Sequence, residues 1–376
     1  MPITISVVDS LRQSVEAASG GRNTVLYDAA GLPSIMVIVP RYMIPSVGVH
    51  PAFVVNGDEK REIFIAKYQA TVHSGVGVSL PNQVPTTNVT FDAARGYCTA
   101  KGAGWHLMTN AEWGAILWWY QVEGYKASWV QSGAGTDIVP LGNTNYGASN
   151  LDSYSVGRRS DNRQPGDTSQ AGVTLSGSGP NTWSHDFGPT GICDLIGNVW
   201  EWVGGLRLNN GEIQIIPQNT AALASADQSA TSGLWQGIKA DGSIVAPGTT
   251  GTLKYDSTTA GTSGLVGTPQ IDDVIDNSND PGGGTDNGYT ATPFKDLVAD
   301  TGITPPAVMQ HLALYYGGNL RAGDGPPKIY VRNYGERVGM RGGAYDEATG
   351  GYYSLDLRYK RSYSAGNVGF RPAFVL

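Results

Sequence analysis

The stretch Thr90–Trp113, TFDAARGYCTAKGAGWHLMTNAEW, holds two helix starts in close succession. Thr90 can cap the first helix. Phe91, Ala94, Tyr97 and Cys98 then recur at helical spacing to form one apolar face, and Gly102 ends it. Thr109 and Glu112 form a T-x-x-E capping box, in which each side chain satisfies the other's free backbone N–H. Trp113, Ile116, Leu117 and Tyr120 continue as the inner stripe of a second helix that runs to Gly124. Aromatic residues at this spacing read as core.

Outward from this pair the chain is short-stranded and rich in turns. Upstream, Phe53-Val54-Val55 and EIFIAKY flank Asn56-Gly57-Asp58-Glu59, and Asn-Gly predicts a hairpin. Residues 1–48, with the apolar run Ile35–Val39 closed by Pro40, read as an N-terminal extension to a domain spanning 49–376. Downstream, 124–190 is mostly small and polar, and DLIGNVWEWVGGLRL is a compact strand–turn signal. Residues 209 to about 328 are long, polar and Gly-rich, which fits an insertion with its own structure better than one loop. Lys328–Val331 reads as a strand returning to the core.

Bulk composition narrows the function. Of 376 residues, 25 are Lys or Arg and 32 are Asp or Glu, a net charge of −7 with no basic block, which argues against a nucleic-acid partner. The 52 glycines and a charged fraction of only 15% favour loops over long helices. The two cysteines, Cys98 and Cys193, read as buried thiols. No apolar run approaches a membrane span. No secretory signal is visible at the N-terminus, so work outside a cell would need another route, such as assembly into a virus particle.

Five segments occur in the order of one family: EIFIAKYQAT (62–71), the 90–113 stretch, GICDLIGNVWEWVGG (191–205), MRGGAY (340–345) and VGFRPA (368–373). Together they resemble the formylglycine-generating-enzyme (sulfatase-modifying factor) branch of the C-type lectin fold. The 104–109 region and the C-terminus resemble, within it, the variable proteins of diversity-generating retroelements. The fold implied is α+β and loop-rich, with two helices, short antiparallel strands and a large insertion. Glu112, Glu201 and Arg371 then read as a partly buried, satisfied polar network, since an unpaired buried charge would be costly.

The resemblance also frames the choice between enzyme and binder. The family's oxidases bind copper through a cysteine pair placed after the R-x-G-G element, and this chain has no cysteine after Cys193. His50, His73, His106, His185 and His311 are scattered and lack ligand spacing. No phosphate loop or nucleophile turn is present. The expectation is therefore a protein that is not an enzyme and needs no cofactor. Structural calcium is implied at Asp194, Gly197, Val199 and Glu201, where carboxylates and backbone carbonyls suit a hard cation. The competing role is that Asp194 caps the turn and Glu201 pairs with an arginine. The acidic loop 272–288 fails the EF-hand spacing.

The C-terminal segment 341–371 carries the functional expectation. Arg341-Gly342-Gly343 and Gly369-Phe370-Arg371 read as framework. Between them lie tyrosines mixed with Ser, Asp, Asn and Gly, the composition of a paratope. By the resemblance, Asn codons rewritten at adenines would vary Asp346, Gly350, Asp356, Arg358, Tyr359, Tyr363, Ala365, Gly366 and Asn367, with Ala344 and Glu347 weaker candidates. Leu355, Leu357, Ser362 and Ser364 fall on the alternating, fixed side. The implied function is a ligand-binding (receptor-binding) protein on a phage tail, contacting a host cell-surface protein or glycan without entering a membrane. A bacterial surface adhesin is the first alternative and a catalytic oxidase the second. Homo-oligomeric display would add avidity, though nothing in the sequence fixes it.

Overall fold

The computed structural model describes residues 9–44, 48–122, 173–179, 181–186, 188–317, 327–345 and 350–376. The principal helices are α1 (Ser10–Ser19), α2 (Phe91–Thr99), α3 (Asn110–Val122) and α4 (Ala307–His311). The principal strands are β1 (Asn23–Tyr27), β2 (Pro33–Pro40), β3 (Glu62–Ala66), β4 (Trp105–Leu107), β5 (Trp200–Asn209), β6 (Glu212–Ile215), β7 (Lys254–Ser257) and β8 (Pro269–Asp272). They continue with β9 (Gly288–Pro293), β10 (Lys328–Val331), β11 (Glu336–Gly342), β12 (Gly351–Leu357), β13 (Val368–Phe370) and β14 (Pro372–Phe374).

The two helices expected at 90–122 form as their caps dictate. Thr90 accepts from the Ala93 N–H at 3.2 Å, and Thr109 and Glu112 exchange bonds of 3.1 and 2.8 Å as a capping box. Such a cap is worth about 1 kcal/mol. Phe91, Ala94 and Cys98 are buried on α2, and Trp113, Ile116 and Leu117 on α3; the Tyr120 side chain lies outside the described residues. Glu112 also receives His106 Nε2 at 2.8 Å, so its buried charge is engaged.

One sheet runs in the order β1-β2-β3-β14-β4, all antiparallel. Within the expected 1–48 extension, the described residues 9–44 are not appended to the domain. β1 and β2 belong to this sheet, with Val37 opposite Ile65 and Val39 opposite Ile63. These residues are buried in the core under α3. Each such side chain contributes about 1.5–3 kcal/mol, enough to outweigh the polar N-terminal composition. The Asn56-Gly57 turn forms with both residues at positive φ, but it closes only Val54–Val55 on Asp58–Glu59. The strand at 62–66 leaves to join β2 instead.

A second, thirteen-stranded sheet has the central run β9-β10-β12-β11-β5-β6-β7-β8. It is mixed. β10 pairs with β12 in parallel, and so does β13 with β5, where only antiparallel pairs were expected. The insertion 209–328 contributes β6 to β9 to this sheet and, with α4, supplies Ile213, Tyr255, Ile271 and Met309 to an apolar core. Leu355 and Leu357 of β12 pack into that same core. The C-terminal segment is thus bracketed by the insertion on one side and the 191–205 turn on the other.

Candidate binding site

The framework of the 341–371 segment is locked by buried polar contacts. Arg341 is fully buried, and among the described residues it has no carboxylate partner. It donates to Asn110 Oδ1 at 2.7 and 3.0 Å and to the carbonyl of Ala313 at 2.9 Å, and burial lowers its pKa to about 9. Arg371 is also fully buried. It grips Glu201 through two bonds of 2.7 and 2.9 Å and donates to the carbonyls of Ala66 and Cys193. The expected satisfied network is therefore present. At the end of β11, Gly342 and the following Gly343 sit at φ +93° and +87°. A Cβ on Gly343 would lie 2.5 Å from Gly350 Cα.

That crowding corrects part of the expected contact set. Gly350 is buried against Gly343 and cannot meet a ligand, and Ala344 is likewise buried. Asp346 and Glu347 lie outside the described residues. Asp356 is fully buried on β12. The alternation with Leu355 and Leu357 is real, but both faces of β12 are covered, so its polar side turns into the protein. Asp356 instead accepts from Arg358, through Nε at 3.0 Å, Nη2 at 2.5 Å and the backbone N–H at 2.9 Å. The Arg358 guanidinium lies 4.2 Å from the Tyr330 ring centroid and 5.2 Å from those of Tyr289 and Tyr359.

Residues 358–367 form a loop clamped from several sides. Arg361 bonds Glu336 and Asp92 at 2.8 Å. The carbonyl of Ala365 accepts from the Asn88 N–H, and that of Asn367 from the Trp200 N–H. Tyr359 and Tyr363 stack with ring centroids 3.7 Å apart and an 18° interplanar angle. Burial raises the Tyr359 hydroxyl well above its ordinary pKa. Tyr359, Tyr363 and Ala365 lean on a core that contains Trp200, Met340 and Val368.

The outward positions are Ser362, Ser364 and Gly366. Ser362 and Ser364 were expected on the fixed side. The parity is inverted because the tyrosine faces are apolar enough to be drawn inward. Arg361, Ser362 and Ser364, which lie beside these side chains, were not among the expected contact residues, and only the polarity of the two serines could have marked them. Arg358, Tyr359, Tyr363 and Asn367 are brought together with Asp356 around one shallow depression, floored by Trp200, Met340 and Val368. Its free volume, about 20 Å³, has room for one water. A ligand would therefore lie across this surface rather than in a deep pocket.

The implied calcium residues do meet, but around a side chain. Gln69 Nε2 donates toward the carbonyl oxygens of Asp194 (3.1 Å), Gly197 (3.4 Å) and Val199 (3.2 Å) and toward Glu201 Oε1 (2.9 Å). Gln69 is fully buried, and the Glu201 charge is already matched by Arg371. The residues present do not fit a cation at this point. Asp194 sits at φ +58°, and its Oδ2 accepts from the Gly177 N–H at 2.8 Å, so its carboxylate ties a separate segment to the turn rather than capping it. Among the described residues its Oδ1 is buried without a hydrogen bond, and burial lifts the carboxyl pKa to about 6.

Elsewhere, no group of three or more His, Cys, Asp or Glu among the described residues is placed to hold a metal. Cys98 and Cys193 are unbridged, and burial raises the Cys193 thiol to about 12. No helix among the described residues is long and apolar enough to cross a membrane.

Residues 50–222 match the sulfatase-modifying factor enzyme 1-like domain. No curated protein matches the chain. Among solved structures it is similar to Treponema denticola variable protein 1, at 10% identity and a TM-score of 0.33, with 94% of this chain and 99% of that one covered. That likeness is too distant to transfer a function. The fold is the loop-rich α+β arrangement of the sulfatase-modifying-factor and C-type-lectin kind.

Proposed function

Starting from a chain whose residues 50–222 carry a sulfatase-modifying-factor-like domain, we propose that it is a ligand-binding protein whose C-terminal loop is its diversifiable contact surface. One observation carries this reading. Ser362, Ser364 and Gly366 face outward beside the stacked Tyr359–Tyr363 pair, on a loop whose ends are fixed by buried framework. Rigid aromatic area with small polar neighbours is the chemistry of an adaptable protein-binding surface. A substitution at an outward position touches no core, so the surface can change while the fold persists. The setting that suits such a site is a phage tail meeting a host surface molecule, with display on a bacterial surface as the alternative.

The test is genomic and biochemical together. The expected finding is a near-identical repeat of the 341–371 coding segment beside a reverse transcriptase gene, differing from it at adenines. Absence of both would overturn diversification. Stoichiometric copper or iron with oxygen uptake by the purified chain would overturn the binding reading in favour of an oxidase.

A further inference from the structure

The four oxygens that converge on Gln69 belong to the four residues where the family resemblance implies calcium. The orientation of the amide follows from the backbone. Thr174 N–H donates to Asn198 Oδ1 at 2.9 Å, and the Thr174 carbonyl accepts from Asn198 Nδ2 at 3.2 Å. A backbone N–H can only donate, so the Asn198 oxygen must face it. Asn198 Nδ2 then donates to Gln69 at 2.9 Å, and the atom it meets must be Oε1. That leaves Gln69 Nε2 facing the three carbonyls and the carboxylate. Two protons are shared among four acceptors in three-centre bonds.

We propose that the Gln69 amide does here what a divalent cation would do, so that this turn, and the binding segment paired to it, is held without calcium. The physical need is the same in both cases. Converging oxygens repel unless something positive sits among them. An N–H2 group supplies partial positive charge at hydrogen-bond distance, whereas calcium would need oxygens at about 2.3–2.6 Å. The amide occupies that volume, and Arg371 already neutralises Glu201. The effect reaches the binding segment directly, because Trp200, Glu201 and Trp202 pair in register with Val368, Gly369 and Phe370.

The experiment is metal analysis and thermal melting of the full chain in EDTA and in millimolar calcium, beside the same melts for Gln69→Glu. The intact chain is expected to hold no stoichiometric calcium and to show no difference in Tm between the two buffers. Gln69→Glu replaces the donor with another acceptor, so it should melt lower in EDTA and rise on adding calcium. Stoichiometric calcium in the intact chain, or a Tm that falls on chelation, would overturn the proposal whether or not the variant folds. A Gln69→Glu chain that melts like the parent in EDTA would also overturn it.

Discussion

Replacing Arg358 with Ala separates a freely exchangeable surface position from one tied to the fold. Asp356 has a side chain with no solvent exposure, and that of Arg358 is 15% exposed. Removing the guanidinium takes away three side-chain bonds, from Nε to both carboxylate oxygens and from Nη2 to Oδ2, and among the described residues leaves the carboxylate the 2.9 Å bond from the Arg358 backbone N–H. Breaking a buried pair typically costs 3–5 kcal/mol, and the remaining bond places this one near the low end, at about 3 kcal/mol. Asp356→Asn keeps an oxygen for that N–H and removes the stranded charge. In the Arg358→Ala background it should restore about 2 kcal/mol, seen as non-additivity in a double-mutant cycle. Urea denaturation of the purified chain at neutral pH, extrapolated linearly, measures both quantities. An Arg358→Ala chain within about 0.5 kcal/mol of the parent would refute the reasoning, because the pair would then behave as an exposed surface bridge.

Two further outcomes follow from the same geometry. Tyr359→Ala and Tyr363→Ala should each lower stability by about 1–2 kcal/mol, because each loses its stacked partner and its core contact, whereas Ser362→Ala and Ser364→Ala should stay within about 0.5 kcal/mol in the same denaturation assay. Asp194 is held near pKa 6 against an ordinary 3.8. The folded state therefore binds that proton more tightly, and the stability this confers is complete below about pH 4 and lost as the pH rises through 6. Asp194→Asn should accordingly raise stability at pH 8 by about 3 kcal/mol and flatten the profile between pH 4 and 6; a variant no more stable than the parent at pH 8 would contradict it.

Much of the scaffold was readable because local rules sufficed. The capping box at Thr109–Glu112, the apolar stripe of α3 and the Glu201–Arg371 pairing each rest on residue types whose burial admits few solutions. The insertion could be sensed from length, but not its packing against Leu355 and Leu357 of β12, because those contacts join residues far apart in the sequence. The 358–367 loop was half legible. Period-two alternation indicated which residues share a side, and nothing in it said which side faces water. For Asp356 that choice was made by the side chains laid over it, Arg358 and the Tyr359–Tyr363 pair, while β10 and β11 pair with the two edges of β12. For Tyr363 it was made by the apolar floor of Trp200, Met340 and Val368. Gln69 was invisible as a calcium substitute because its partners lie more than a hundred residues away.

The parallel seam between β10 and β12 has a consequence for how such a surface could evolve. It seats Tyr330, with Tyr289 from the neighbouring β9, against Arg358. If the 341–371 segment is diversified as proposed, those two rings lie outside it and would be inherited unchanged in every version of the protein. A ligand settling on this face would meet one wall that differs between siblings and another common to the whole lineage. The common wall would bias every variant toward targets presenting a group that packs on tyrosine, so the repertoire would explore variations on a theme rather than all of chemistry.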